Sequence, residues 1–291
     1  HLAMGPYLLG RLARPSARER FLRQMVFLLN LQPKVLSFVG RLLVYSPWNH
    51  KWYRFVCNYF FWRGVRRVFP GCDAPQHFAH GTPILMYHAF GEDEPASRYV
   101  VPVRRFRRQM AFLKWMGYTV ISLGEYIRLR RDNRLPSSRS VVLTIDDGYA
   151  DNRTLAYPIL RRYGFPATIF LVTGRIGGTN QWARSSQLLG RPLLTWSQVE
   201  EMLKGRIHFG SHTRTHPVLT GASPEQLQEE LEGSRIDLER QLKVRVDVLA
   251  YPFGEYDTRS QACAAAVGFV ASCTIESGLN TFFRHISIKS F

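Results

Sequence analysis

From residue 81 onward the sequence predicts an α/β fold, and three observations lead there. Short apolar runs alternate with helical patterns from Thr82 to the end of the chain, as strands joined by crossover helices do. Two of these runs end in ligand-type side chains, Leu143-Thr-Ile-Asp-Asp-Gly148 and Gly210-Ser-His-Thr-Arg-Thr-His216. Residues 1–80 follow another pattern, basic and crowded with aromatics, and are read as a separate helical segment.

Along the chain, residues 17–68 read as two helices. In the first, Phe21, Met25, Leu28 and Leu29 recur at helical spacing with Arg18, Arg20 and Arg23 between them. The second, over 48–68, holds Trp48, Trp52, Tyr53, Phe55, Tyr59, Phe60, Phe61 and Trp62 and closes with Arg63, Arg66 and Arg67. Such helices suit a membrane interface, rings at headgroup level and charges on anionic lipid, or equally a helical hairpin packed on another domain. Pro70-Gly71 and Asp73-Ala-Pro75 read as a linker. Strands are then expected near 83–87, 118–122, 141–145, 167–172, 206–209, 247–251, 269–272 and 285–288. Helices are expected near 103–116, 123–131, 153–163, 196–203, 224–242 and 258–266. Ser223-Pro-Glu-Gln226 supplies a cap, a first-turn proline and a Gln three residues on, a strong helix start.

The composition narrows the function classes. At 291 residues and 45% hydrophobic content, the chain can bury a core of barrel size. Its formal charge is +17, and residues 1–80 carry twelve Lys or Arg against only Glu19 and Asp73. That balance fits an anionic partner such as a membrane face through residues 17–68, and no nucleic-acid motif accompanies it. Cys57, Cys72, Cys263 and Cys273 show no C-x-x-C spacing, which argues against a thiolate zinc site. Val35 to Tyr45, the best apolar stretch, is broken by Arg41 and falls short of the ~20 residues a membrane span needs. The first residue is His rather than Met, which suggests a fragment of a longer protein; its location stays open, with a membrane periphery or the cell envelope fitting the basic segment.

The two strand-end motifs carry the chemistry. Asp146 and Asp147 diverge at the end of a strand, and Gly148 permits a sharp turn. One carboxylate then faces a metal while its neighbour faces the reacting water. His212 and His216, four apart, can share a metal, and Ser211 and Pro217 beside them favour a shaped loop or single turn over a long helix. In a barrel of parallel strands these ends meet on one face. One carboxylate and two imidazoles suit a divalent ion with open positions, Zn²⁺ first and Co²⁺, Ni²⁺ or Mn²⁺ behind it. The reaction class is metal-assisted hydrolysis of an amide or ester.

The motifs in order also resemble a known family. Pro83-Ile-Leu-Met-Tyr-His88, the strand with Asp146-Asp147-Gly148-Tyr149, Gly164-Phe-Pro-Ala-Thr-Ile-Phe170, Leu194-Thr-Trp196, Ser211-His-Thr-Arg-Thr-His216 and Ala250-Tyr-Pro-Phe-Gly254 are similar to the NodB-homology polysaccharide deacetylases, carbohydrate esterase family 4. The likeness runs over residues 82–288. It implies a distorted (β/α) barrel for 81–291 and removal of N-acetyl groups from an N-acetylated oligo- or polysaccharide. It implies Asp147, His212 and His216 as metal ligands, Asp146 as general base, and the Phe253 backbone N–H as a donor to the oxyanion. Tyr149, Tyr251, Pro252 and Trp196 are the matching candidates for substrate contact. Two departures stand out: Ala250 occupies a place where many members have Arg, with Arg284 as a substitute, and the general acid defaults to His285. Residues 59–66 resemble the tail of membrane-associated family 2 glycosyltransferases. Alternative readings are a deacylase of a lipid-linked sugar, an O-acetyl polysaccharide esterase, and a non-enzymatic glycan- or membrane-binding module. The complete set of four ligand-type residues counts against the last.

Overall fold

A computed structural model describes residues 82–92, 97, 99–137, 139–183 and 185–274, together with the backbone of 287–290. The helices expected over 17–68, the linker at 70–75, the boundary at residue 80, and Arg284 and His285 lie outside the described residues.

The element order is β1 (Ile84–Tyr87), β2 (Ala89–Gly91), β3 (Val100–Pro102), α1 (Val103–Trp115), β4 (Thr119–Ile121), α2 (Leu123–Arg131) and β5 (Ser140–Ile145). A π-helical turn, Asn152–Ala156, leads into α3 (Tyr157–Tyr163), followed by β6 (Ala167–Leu171) and α4 (Trp196–Leu203). The chain continues as β7 (Ile207–Ser211), α5 (Pro224–Leu242), β8 (Val248–Ala250), α6 (Thr258–Val267), β9 (Ala271–Thr274) and β10 (Ser287–Ser290).

One sheet runs β1-β5-β6-β7-β8-β9-β10, with β4 paired to the first half of β5. Neighbours from β1 to β9 are parallel and β10 returns antiparallel on β9. Parallel neighbours joined by helices must be covered on both faces, and β5 and β6 are accordingly buried at every residue. Side chains two apart share a face. Val142, Phe170, Val248, Ala250, Ala271 and Cys273 form one cluster with Ile84 from the opposite end of the sheet order. The sheet is therefore rolled, an incomplete barrel filled by its own apolar side chains. The C-terminal ends of β5, β6, β7 and β8 all open onto one rim.

Helices α4, α5 and α6 each start at a reciprocal side-chain cap. Ser223 accepts from the Gln226 N–H at 3.2 Å and Gln226 reciprocates at 3.0 Å, with Pro224 in the first turn of α5. Thr195 with Gln198 and Asp257 with Ser260 form the same reciprocal cap on α4 and α6. The last two strands fall two residues later than the sequence pattern places them, at 271–274 and 287–290. The short parallel pair β2–β3 was not expected at all: three residues a strand is too short to show a period of two. Among the described residues no helix is long and apolar enough to cross a membrane.

Candidate metal centre

The first half of the site is built by the end of β5. The Asp146 N–H still bonds to the Tyr87 carbonyl at 2.9 Å, continuing the ladder one residue beyond the strand. The chain then reverses through two successive left-handed residues, Asp147 at φ 73° and Gly148 at φ 72°. Asp tolerates that conformation better than most side chains, and Gly is required next. A Cβ on Gly148 would lie 2.5 Å from Leu171 Cδ2. This turn sends Asp147 toward the imidazoles while Asp146 stays on the strand's own line.

The second half is the segment after β7. His212 donates its backbone N–H to Leu171 O at 2.8 Å, and its Nδ1 lies 2.7 Å from Ala250 O, tying the ring to the end of β8. The segment is a shaped loop, as Ser211 and Pro217 foretold, and two of its residues are left-handed, Thr213 at φ 65° and His216 at φ 64°. Thr213 Oγ1 accepts the His216 N–H at 3.1 Å, and Ser211 Oγ accepts the Thr213 N–H at 3.1 Å.

Helix α5 clamps the outside of this loop. Glu230 accepts the N–H groups of Arg214 and Thr215, both at 2.8 Å, and the Thr215 hydroxyl at 2.6 Å. Asp237 accepts from Arg214 Nε and from the Thr173 hydroxyl, each at 2.9 Å. Gly233 makes this possible, since a Cβ there would meet Arg214 Cδ at 2.8 Å.

Of the seven non-glycine residues with positive φ among the described residues, Asp147, Thr213, His216 and Phe253 belong to this one rim. A β-branched Thr in that conformation is uncommon and is kept only where surrounding bonds over-determine it. Backbone strain is concentrated where the ligand-type side chains are aimed.

The aim is convergent. One donor atom each from Asp147, His212 and His216 lie within 4.8 Å of one another, and all three residues are buried. His212 Nε2 is 3.5 Å and His216 Nε2 3.4 Å from Asp147 Oδ1. Two metal–ligand bonds of about 2.0–2.1 Å meeting at a tetrahedral angle hold their donor atoms about 3.4 Å apart. A carbonyl only accepts, so His212 Nδ1 is the protonated nitrogen and Nε2 presents a lone pair to the carboxylate. Acceptor therefore faces acceptor across the gap, which a cation reconciles. The donor set fits one divalent ion of the zinc type.

Electrostatics point the same way. Burial holds His212 down at about 4, against the bond to Ala250 O that favours its charged form. Burial and the neighbouring His212 likewise lower His216 well below the usual imidazole range. Both rings are neutral at neutral pH, so their contacts with Asp147 are not ion pairs. Burial pushes Asp147 up to about 7, against hydrogen bonds from the Tyr149 phenol and the Trp182 indole that pull it down. Asp146 is raised well above the usual carboxylate range by burial and then by the adjacent Asp147. Its Oδ1 is buried and has no hydrogen-bond partner.

The other expected residues distribute unevenly. Phe253, 40% exposed and at φ 58° in the tight turn Pro252–Gly254, sets its ring edge on His216 at 4.7 Å. Pro252 and Tyr251 are buried beside it, and Tyr251 stacks on Tyr256. Tyr149, expected to touch substrate, is fully buried instead, because its phenol is spent on Asp147 and Asn180 beneath the rim. Trp196 opens α4 beside the capping Thr195 and is half-buried. His88 sets its ring on Tyr99 at 5.2 Å. Cys273 is a buried core side chain on β9, and Cys263 is half-buried on α6.

Three residues that sequence reasoning passed over complete the rim. Trp182 stacks on His216, with 4.8 Å between ring centroids and 19° between planes. Asn180 donates to the Tyr149 hydroxyl and accepts the N–H groups of Trp182 and Ala183. Arg191 binds Asp151 Oδ2 and Phe90 O, both at 2.6 Å, pinning the loop 179–192 beside β2. The available signal was Trp182 itself, a large aromatic alone in a polar, Gly-rich stretch with no periodic core to join.

Comparisons with known proteins agree with this architecture. The sequence pattern of the polysaccharide deacetylase family matches residues 133–272, a span that holds both ligand motifs. YxkH of Bacillus subtilis is 32% identical over 196 residues, covering 67% of this chain and 65% of that protein. The poly-β-1,6-N-acetyl-D-glucosamine N-deacetylase of Escherichia coli K12 is 28% identical over 221 residues, 65% of this chain and 33% of that enzyme. The chain thus spans from a third to about two thirds of the length of these relatives. The structure of the Streptococcus pyogenes deacetylase PplD in complex with acetate superposes with a TM-score of 0.57 at 33% identity, over 65% of this chain and 80% of that one. Ordered motifs, a rolled parallel sheet and a buried Asp-His-His cluster at its C-terminal rim together place this chain in the polysaccharide deacetylase family.

Proposed function

We propose that this chain is a metal-dependent hydrolase that removes N-acetyl groups from an N-acetylated glycan. The observation that carries the reading is the convergence of one donor atom each from Asp147, His212 and His216 within 4.8 Å, with the adjacent Asp146 holding a buried Oδ1 that has no hydrogen-bond partner. The name of the E. coli relative, a poly-β-1,6-N-acetyl-D-glucosamine N-deacetylase, supports an N-acetylglucosamine polymer as the substrate class.

Asp147, His212 and His216 would hold one divalent ion, zinc being the best match to the donor set. Such an ion supplies Lewis-acid polarisation of the amide carbonyl and makes a water acidic enough to deprotonate near neutrality. Asp146 takes that proton as general base. Burial raises its basicity, which suits the task. The backbone N–H of Phe253, in the tight turn Pro252–Gly254, is the donor to the developing oxyanion. Tyr251 and Pro252 shape that turn, and Trp196 remains a candidate sugar platform. Tyr149 holds Asp147 from below instead of meeting substrate. His285 as general acid and Arg284 as a group orienting Asp146 complete the assignment from sequence. The basic residues of 17–68 would hold the enzyme at an anionic membrane face of the cell envelope, a reading supported by their charge and aromatic content.

The test is acetate release from β-1,6-linked N-acetylglucosamine oligomers by the purified chain, apo and zinc-loaded. Release that requires zinc and stops with chelator is expected. A zinc-loaded, folded protein that frees no acetate from any N-acetylated oligomer would overturn the reading.

A further inference from the structure

We propose that Trp182 is a positioning residue for the cation site, its indole plane lying on His216 and standing in for the hydrogen bond to another residue that this ring lacks. This rests on the metal reading above.

A metal-bound imidazole is normally oriented by a hydrogen bond from its other nitrogen. His212 has one, Nδ1 to Ala250 O at 2.7 Å. His216 has no such bond to another residue: its buried Nδ1 has only its own backbone to turn to. Every other residue that orients its plane is a ring, Trp182 lying nearly parallel to it, with Phe253 and His212 meeting it at 80°. The same indole N–H faces the Asp147 carboxylate and favours its charged form. One side chain thus touches two of the three ligands. Asn180 fixes it in turn, accepting the backbone N–H of Trp182 at 3.1 Å and donating to Tyr149, whose phenol also reaches Asp147. The loop 179–192 is thereby coupled to the cation site.

The experiment measures zinc affinity by competition with a chromophoric chelator, alongside indole emission, in the wild type, W182F and W182L. W182F keeps a smaller stacking face and loses the N–H; W182L loses both. Positioning groups around a metal cost 10–100-fold in affinity when removed, so about tenfold weakening is expected for W182F and about a hundredfold for W182L. Zinc should also change the wild-type emission, and W182F should lose that change. Equal zinc affinity in all three proteins overturns the inference. Should both variants misfold, wild-type emission indifferent to saturating zinc overturns it instead. A wild type that takes up no zinc defeats the metal reading itself, which is a separate outcome.

Discussion

Removing the Glu230 carboxylate should loosen His216, a side chain of the Asp-His-His cluster that Glu230 never touches. Both of its oxygens are committed to the loop ahead of His216, to two backbone N–H groups at 2.8 Å and a hydroxyl at 2.6 Å. The Arg214 N–H is partly buried, whereas the two groups on Thr215 are exposed and recover hydrogen bonds to water in Glu230→Ala. A hydrogen bond to a charged group contributes about 1.5–3 kcal/mol when shielded and much less when wet, giving about 2–3 kcal/mol for the set. The loop conformation that holds His216 at φ 64° is the one these bonds select. At 1.4 kcal/mol per tenfold, zinc affinity should fall by about 30- to 150-fold. Glu230→Gln keeps one acceptor oxygen and should lose much less. Chelator competition with zinc measures the affinity, and a calorimetric melt of the apo protein separates local from global loss. Wild-type zinc affinity in Glu230→Ala would refute the claim that α5 shapes the ligand loop.

Other substitutions and conditions follow from the same geometry. Asp146→Asn should retain zinc while acetate release falls by about 10²–10⁴-fold, the usual contribution of a general base; loss of zinc as well would mean Asp146 is a ligand. Arg191→Met strands Asp151 at a largely buried pair and should cost about 3–5 kcal/mol, offset in part in the Asp151→Asn double variant. An unchanged melting temperature for Arg191→Met would show that the loop clamp contributes nothing. Above about 6.5 the apo protein should lose stability as pH rises; below that, the lowered His212 and His216 oppose the carboxylate's effect. Asp147 is raised to about 7 in the fold, so its protonated form favours folding below the ordinary carboxylate range, and that stability is lost as pH climbs from about 4 through 7. Zinc reverses the trend, so melts with and without zinc should diverge more at pH 8 than at pH 5.5. A zinc effect independent of pH would contradict it.

Legibility in the sequence followed the strength of local signals. The long strands and helices were readable because buried runs such as Ser140–Ile145 and capped helices such as Pro224–Leu242 announce both period and boundary. The Asp-His-His cluster was readable because its chemistry is compact, Asp147 beside Gly148 and His212 four residues before His216. What binds them into a site was not readable. Glu230 with Arg214, Asn180 with Tyr149 and Trp182 with His216 are contacts between distant segments, and each of these side chains looks ordinary in its own window. Tyr149 shows the limit most plainly. Its place beside Gly148 suggested substrate contact, but the reversal at Asp147 and Gly148 turns the ring inward, and the sequence pattern carries no sign of that direction.

Anomalous diffraction from zinc-loaded crystals tests the central claim most directly. One peak is expected within about 2.0–2.2 Å of Asp147, His212 Nε2 and His216 Nε2, with Asp146 beyond bonding distance. A peak bonded to Asp146 in place of Asp147, or zinc bound only elsewhere on the molecule, would contradict it.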